Sequence, residues 1–145
     1  MKTKEAFAYT PYESELEGAS NAYVISLLAV VAGLPIPIFN LLASIIFYFG
    51  TRKSTYFVRW HTTQFLLSQL FLFFFNSFGF WWSLSIFLQK NELSNAYIGY
   101  LIFLIVVNIS EFILTVYSAI QVRKGVHVQW YFFGTLTQQL VKNKS

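Results

Sequence analysis

The chain has 145 residues, of which 56% are hydrophobic, 21% are aromatic and only 11% are charged. Soluble domains carry about 25% charged residues, so the composition excludes an ordinary soluble domain and predicts an integral protein surrounded by the lipid bilayer. The net charge of +4 comes from basic residues beside apolar segments, a pattern that indicates membrane orientation and not a nucleic-acid partner. Because cysteine is absent, disulfides and thiolate metal sites are excluded.

The N-terminal part is predicted to consist of a polar, acidic leader, residues 1–21, and a first apolar segment at about residues 22–49. As one straight helix that segment would measure about 42 Å, more than the roughly 30 Å of a hydrocarbon core. It also contains Pro35 and Pro37, and proline removes a backbone donor and disturbs the preceding turn. We predict a kinked or broken single span; two short helices that meet at a turn are the alternative.

Two further apolar segments follow at about residues 57–88 and 96–122. The tail, residues 126–145, begins after a basic helix end and contains the aromatic run WYFF, which is typical of a segment that lies along the membrane interface. The expected fold is therefore an all-α integral membrane helical bundle over residues 22–125. It has three spans, or four helices if the prolines divide the first, plus the interfacial C-terminal segment.

Basic residues predict the orientation of this bundle. The first loop carries Arg52, Lys53 and Arg59, and the tail carries four more lysines and arginines. With three spans these lie on one side, opposite Lys2, Lys4 and Lys90. Because cytoplasmic loops are enriched in Lys and Arg, we expect the loop and the C-terminus on the cytoplasmic side of the cell inner membrane. The basic loop is predicted to contact lipid headgroups, with docking of a protein partner as the alternative.

Polar residues recur on one stripe of each of the last two segments, as helical geometry shows. The stripes consist of His61, Gln64, Ser68, Asn76 and Gly79, and of Asn108, Glu111, Thr115 and Ser118. A carboxylate at the centre of a span costs about 2.5–3.5 kcal/mol on insertion scales, so Glu111 needs a partner. We predict an intramembrane polar cluster in which Asn76 bonds Glu111, Asn108 lies beside them and Asn40 completes the group. For Glu111 a structural role and a titrating, functional role both stay open.

Two lone histidines, His61 and His127, are expected on the cytoplasmic side. They lack the spacing of metal ligands, so an interfacial, hydrogen-bonding His61 is favoured over a metal or haem ligand. We therefore predict no metal site and no cofactor. The chain has no G-x-S-x-G elbow and no convincing catalytic pair, so we expect no catalytic residue and no enzyme.

The run IIFYFGTRKSTYFVRWHTTQ contains a Phe-Val-x-x-His-x-x-Gln entry into a helix, here Phe57, Val58, His61 and Gln64. With the helix end at Arg123-Lys124-Gly125 and the aromatic patch that follows, it resembles a family of small bacterial membrane proteins of uncharacterised function. That family is related to the Tic component, of about twenty kilodaltons, of the chloroplast inner-envelope protein-import machinery. The resemblance implies a helical bundle and, by fold-level analogy, work in a protein-translocation complex.

Two functional hypotheses follow. The first is a non-enzymatic accessory subunit of an inner-membrane protein complex, in protein translocation, export or membrane-protein quality control, with a membrane-protein partner or as a homo-oligomer. The second is a homo-oligomeric channel or proton-coupled carrier in which Glu111 titrates. Three spans are too few for a solitary carrier, so the second hypothesis requires oligomers.

Overall fold

The computed structural model describes residues 7–33, 37–89 and 92–142, and the five regular elements in these ranges are all α-helices. In chain order they are α1 (Glu13–Gly33), α2 (Pro37–Thr51), α3 (Tyr56–Gln89), α4 (Asn95–Arg123) and α5 (Tyr131–Leu140). The prediction of an all-α protein is confirmed.

The helices α3 and α4 form a long antiparallel hairpin, and both are long and apolar enough to cross a membrane. With 34 residues, α3 extends about 51 Å at 1.5 Å per residue. Only 11% of its most apolar 18-residue window is buried in the protein, and only 6% of the corresponding window of α4. Such exposure suits helices whose outer face lies against lipid or another membrane protein.

Local chemistry sets both ends of α4. At its start the Ser94 side chain accepts the N–H of Tyr97 at 3.1 Å, as a helix cap does. At its end Gly125 has φ 82°, a left-handed conformation that favours glycine. The N–H of Val126 then bonds the carbonyl of Gln121 at 2.9 Å, which completes a Schellman motif. The chain can therefore turn back toward α3 immediately after α4.

The contacts of α1 with α3 advance in the same direction along both helices. Gly18 lies against the side chain of Val58, close enough that a Cβ on Gly18 would be 3.3 Å from Val58 Cγ2. One to two turns later, Tyr23 bonds Gln64. The two helices are therefore parallel.

The contacts of α2 with α3 run in the opposite direction. Asn40, near the start of α2, bonds Gln69, whereas Thr51, the last residue of α2, lies beside Arg59 in one cleft. Because α2 is antiparallel to α3 and α1 is parallel to it, α1 and α2 form a second, shorter helical hairpin.

The prediction of three spans is therefore wrong, because residues 22–49 do not cross the membrane as one helix. They are divided between α1 and α2, and neither has the length and apolarity of a span; α2 has only 15 residues. Pro37 begins α2, where a proline is tolerated because the first N–H groups of a helix have no intrahelical acceptor. Pro35, the other proline of the predicted break, lies outside the described residues.

This arrangement creates two different ends, which we call the basal end and the distal hairpin. The basal end contains the start of α1, the loop 52–55 and the α4–α5 connection, and its core consists of Ala19, Tyr23, Phe57, Val58, Phe65, Ala119, Val122, Val128 and Trp130. The distal hairpin consists of residues 75–89 of α3 and 95–108 of α4. Its contacts are between those two helices: a Cβ on Gly79 would meet Leu104, and Phe78 packs on Tyr100.

The tail packs on the bundle. Trp130 is only 4% exposed and its Nε1 donates to Ser118 Oγ at 2.8 Å, while Gly134 and Thr137 on the inner face of α5 are buried. Tyr131, on the opposite face, is 73% exposed. The segment expected at the interface thus presents one face to the core and one to the surroundings.

The segment before α1 is held at the basal end by Glu15. Its two carboxylate oxygens accept from Tyr9 Oη at 2.5 Å and from the N–H of Tyr12 at 2.8 Å. Burial raises the pKa of Glu15, but the hydrogen bonds from Thr55, Tyr9 and Tyr12 outweigh it, and the pKa lies below its ordinary value. The resulting stabilisation is present above the ordinary pKa and is lost as pH falls through the lowered value.

Single cysteines test this topology, because the natural chain contains none. Ser14 and Ser54 are exposed at the basal end, and Glu92 is exposed beyond the distal hairpin. We expect a membrane-impermeant maleimide to label Ser14→Cys and Ser54→Cys from one side and Glu92→Cys from the other. A three-span topology would instead give Ser14→Cys and Glu92→Cys the same accessibility.

Candidate functional site

Gln64 is fully buried and joins three parts of the chain at the basal end. Its Nε2 donates to the hydroxyl of Tyr23 on α1 at 2.9 Å and to the carbonyl of Val128 at 3.1 Å. Its Oε1 accepts the N–H of Trp130 at 2.9 Å. Both amide hydrogens and one oxygen lone pair are thereby used, as a buried glutamine requires.

The bonds of Gln64 fix the direction of the bonds around His61. Because the Tyr23 hydroxyl accepts from Gln64, it donates its own proton to His61 Nδ1, 2.9 Å away. A neutral His61 then carries its proton on Nε2, which lies 3.2 Å from Nδ1 of His127. His61 Nε2 is therefore the donor and His127 Nδ1 the acceptor in this bond.

Aromatic rings enclose this pair. The ring centroid of His127 is 4.4 Å from that of Trp60 and 4.9 Å from that of Phe7, and His61 lies 4.6 Å from Phe57. His61, expected at the membrane interface, is completely buried because α1 and the tail cover it. Within the described ranges no third His, Asp or Glu joins the two imidazoles in a group that could hold a metal ion.

A second polar group connects α2, α3 and α4. Glu111 Oε1 accepts from Gln69 Nε2 at 2.5 Å and from Thr115 Oγ1 at 2.9 Å. Gln69 Oε1 in turn accepts from Asn40 Nδ2 at 2.5 Å. Asn40, Gln69, Glu111 and Thr115 thus form a continuous chain of hydrogen bonds, and the buried Oδ1 of Asn40 has no partner in the part of the protein that the structure describes.

Asn76, expected to bond Glu111, lies two turns further along α3 than Gln69 and pairs instead with Asn108. The two amides exchange bonds, with Asn76 Nδ2 donating at 3.0 Å and Asn108 Nδ2 donating at 2.7 Å. Further toward the tip, Ser83 Oγ bonds Tyr97 Oη at 2.8 Å. Of the four residues expected in one cluster, Asn40 and Glu111 are joined through Gln69, and Asn76 and Asn108 form a separate pair.

The remaining predicted residues lie at the basal end. Arg52 and Lys53 are exposed in the loop after α2, and Arg59 is partly buried in a cleft. Phe57 and Val58 belong to the core.

Sequence reasoning missed Tyr23, Gln69 and Trp130. Each has a polar group within an apolar stretch and therefore needs a partner when buried, which is the signal that could have identified it.

Two helices of membrane-spanning length with exposed apolar faces, joined by partly buried amides and a glutamate, indicate a helical membrane protein. A family model described as MamF/MmsF, the magnetosome magnetite crystal formation protein family, matches residues 19–136. The match covers most of the chain, and the chain belongs to this family. Neither a curated protein nor a solved structure matches the chain.

The resemblance to a Tic-related family is therefore wrong, and the family match gives no support to protein transport. The residues that carried the resemblance explain the error. Phe57 and Val58 are core residues, and His61 and Gln64 belong to the buried hydrogen-bond network. Such residues report how helices pack, and packing does not specify an activity.

Replacing Tyr23 tests the basal network. Tyr23→Phe removes one hydroxyl and leaves both His61 Nδ1 and one N–H of Gln64 without their partner. We expect a loss of about 1–3 kcal/mol in stability, because an unsatisfied buried polar group costs that much. Thermal unfolding in detergent, followed by circular dichroism, measures the loss. Tyr12→Phe is the control, since Tyr12 is 78% exposed; equal melting temperatures for the two variants would contradict the assigned network.

A double-mutant cycle tests the amide pair. Asn76→Leu and Asn108→Leu should each destabilise the protein, and the double variant should lose less than the sum, because it leaves no unpaired amide. Intramembrane hydrogen bonds average about 0.6 kcal/mol, with a maximum near 1.7, and the coupling should lie in that range. Asn76→Leu combined with Ser110→Ala is the control and should be additive, since Ser110 is exposed and its hydroxyl bonds the carbonyl of Val106 on the same helix.

Proposed function

We propose that the protein is a non-enzymatic accessory subunit of the magnetosome membrane that takes part in magnetite crystal formation by binding other membrane proteins, or copies of itself, through the distal hairpin. The observation that carries the proposal is the outer face of α3 in and just before this hairpin. Phe74, Phe78 and Trp81 are 66%, 57% and 65% exposed, and their spacing places them on one side of the helix.

Large aromatic side chains are enriched at protein interfaces, where a few of them supply most of the binding energy. Lipid can also cover such a face. Membership of a crystal-formation family favours a protein partner, because a helix face enclosed by a membrane can act on a crystal through another protein that it binds. The face formed by Phe74, Phe78 and Trp81 is therefore the proposed contact surface.

The inner side of the distal hairpin supports a structural role over a conducting one. The side chains of Asn76 and Asn108 hydrogen-bond each other, and the hydroxyl of Ser83 bonds that of Tyr97. Next to the amide pair, Gly79 allows α4 to approach α3 so closely that an added Cβ would collide with Leu104. Polar side chains that hydrogen-bond each other between two closely packed helices hold the helices together. They leave little room for a permeating ion.

A proton-coupled channel or carrier is the second candidate, and one observation favours it. The hydrogen-bond chain from Asn40 through Gln69 to Glu111 connects three helices around a carboxylate within α4. Carboxylates in such positions mark proton or ion pathways in many membrane proteins. In this alternative Glu111 would bind and release a proton, and copies of the chain would assemble around it.

For the orientation, we propose that the basal end faces the cytoplasm. Helix ends and loops there carry the basic residues Arg52, Lys53, Arg123, Lys124 and Lys142. Cytoplasmic segments next to membrane helices are enriched in such residues.

Complementation distinguishes the two functions. A magnetosome-forming strain that lacks its own copy of the gene receives either Phe74→Ala/Trp81→Ala or Glu111→Gln, and crystal size is measured by electron microscopy. Phe78 is left unchanged because its ring also packs on Tyr100 of α4. We expect smaller crystals and at least about fivefold less co-purified partner in mild detergent with the aromatic variant, because hot-spot aromatics each contribute more than about 1 kcal/mol. Glu111→Gln should support normal crystals, because glutamine keeps a hydrogen-bonding oxygen.

Membrane abundance of each variant, measured by immunoblotting, is the control, and both should match the unaltered protein. The reverse result, with small crystals from Glu111→Gln and normal crystals from the aromatic variant, would replace the accessory role with the carrier.

A further inference from the structure

A basic cleft of about 300 Å³ lies at the basal end, between the last turn of α2, the first turns of α3 and the end of α5. Its walls include Tyr48, Thr51, Arg52, Arg59, Thr63 and Lys142. Three of these side chains are cationic, and no carboxylate lines the cleft in the described part of the chain. The potential inside is therefore positive, which suits an anionic group.

Arg59 supplies the second observation. Its Nε is buried and has no hydrogen-bond partner among the residues that the structure describes. A buried guanidinium N–H without an acceptor is costly, and the cost disappears when an acceptor binds. Guanidinium groups match phosphate oxygens in geometry and charge. Arg59, together with Arg52 and Lys142 at the mouth of the cleft, thus offers donors to a phosphate.

An apolar stripe on α2 ends beside one wall of this cleft, on a neighbouring face of the helix. It consists of Ile38, Leu42, Ile46 and Phe49, which are 47%, 49%, 66% and 57% exposed. Their spacing places them on one face of the helix. The ring centroid of Phe49 lies 5.8 Å from that of Tyr48, which belongs to the cleft wall. A phosphate carried by a hydrocarbon chain fits the stripe and the cleft together, whereas a free phosphate would use the cleft alone.

We propose that the basic cleft is a binding site for the phosphate of an anionic phospholipid, whose acyl chain lies along the α2 stripe. Arg59 donates from the inner wall, and Arg52 and Lys142 donate from the mouth. The site anchors the short α1–α2 hairpin to the leaflet at the basal end. It does not depend on the proposed role in crystal formation, because neither the distal hairpin nor Glu111 contributes to it.

Native mass spectrometry of the full chain in non-ionic detergent tests the site. Phosphatidylglycerol and phosphatidylcholine with the same acyl chains are added in turn, and the fraction of protein that retains one lipid is measured. We expect preferential retention of phosphatidylglycerol. Arg59→Gln and Arg52→Gln should each lower its apparent affinity about fivefold, the effect of one cationic side chain at an anionic surface.

A control variant and the exposed position of Arg52 make the result decisive. Lys53→Gln removes the same charge from the same loop but does not line the cleft, so its lipid retention should equal that of the unaltered protein. Arg52 is exposed in the loop, so Arg52→Gln keeps the test valid even if Arg59→Gln fails to fold. Equal losses in Lys53→Gln and Arg52→Gln would show a diffuse charge effect and overturn the proposal.

A third arm separates the two sources of phosphate. Thermal unfolding is measured with inorganic phosphate alone and with phosphatidylglycerol alone. Stabilisation by the lipid that inorganic phosphate at millimolar concentration neither reproduces nor competes away supports the lipid site. Stabilisation by inorganic phosphate alone, or equal retention of the two lipids, overturns it.

Discussion

The need to satisfy one buried amide organises the basal end. Gln64 has no access to water, so its N–H groups and oxygen must find partners within the protein, and they find them on α1 and the tail. That requirement sets the directions of the bonds from Tyr23 to His61 and from His61 to His127. It also draws the tail across α3, since a tail elsewhere would leave the amide unpaired at a cost of about 1–3 kcal/mol.

The α3–α4 hairpin consists of two parts with different surroundings. At the basal end three more helices cover it, and its polar side chains bond those helices. In the distal hairpin the two helices pack on each other, with no other helix covering them among the residues that the structure describes. Polar groups such as Asn76 and Asn108 therefore pair between α3 and α4, and apolar groups face outward. The chain of bonds through Gln69 and Glu111 marks the boundary, where Asn40 near the start of α2 bonds the hairpin.

The sequence predicted the helices better than their partners. Helical periodicity and hydropathy correctly identified α3 and α4. Gly125, at the predicted helix end, lies where α4 ends. The polar stripe on α4 shows which face of the helix carries Glu111, but it does not show how far α3 is displaced along α4. The sequence therefore could not decide whether Asn76 or Gln69 bonds Glu111. The prolines indicated a break in the first apolar segment. Whether its two halves form one kinked span or fold back as α1 and α2 depends on how they pack against α3, and a local sequence pattern does not specify that packing. A short motif with packing roles, Phe57 to Gln64, could not identify the family.

The separation of bonded residues along the chain sets an order of assembly. Gln64 bonds Trp130, 66 positions later, and Ser20 bonds the carbonyl of Ala119, 99 positions later. During synthesis α1 therefore leaves the ribosome long before the part of α4 that it packs against exists. The distal hairpin forms from residues of α3 and α4, so it can insert without α1 and α2. The basal end closes last, when the final residues of the tail arrive, and a chain that stops before Trp130 would contain the membrane hairpin without its completed core.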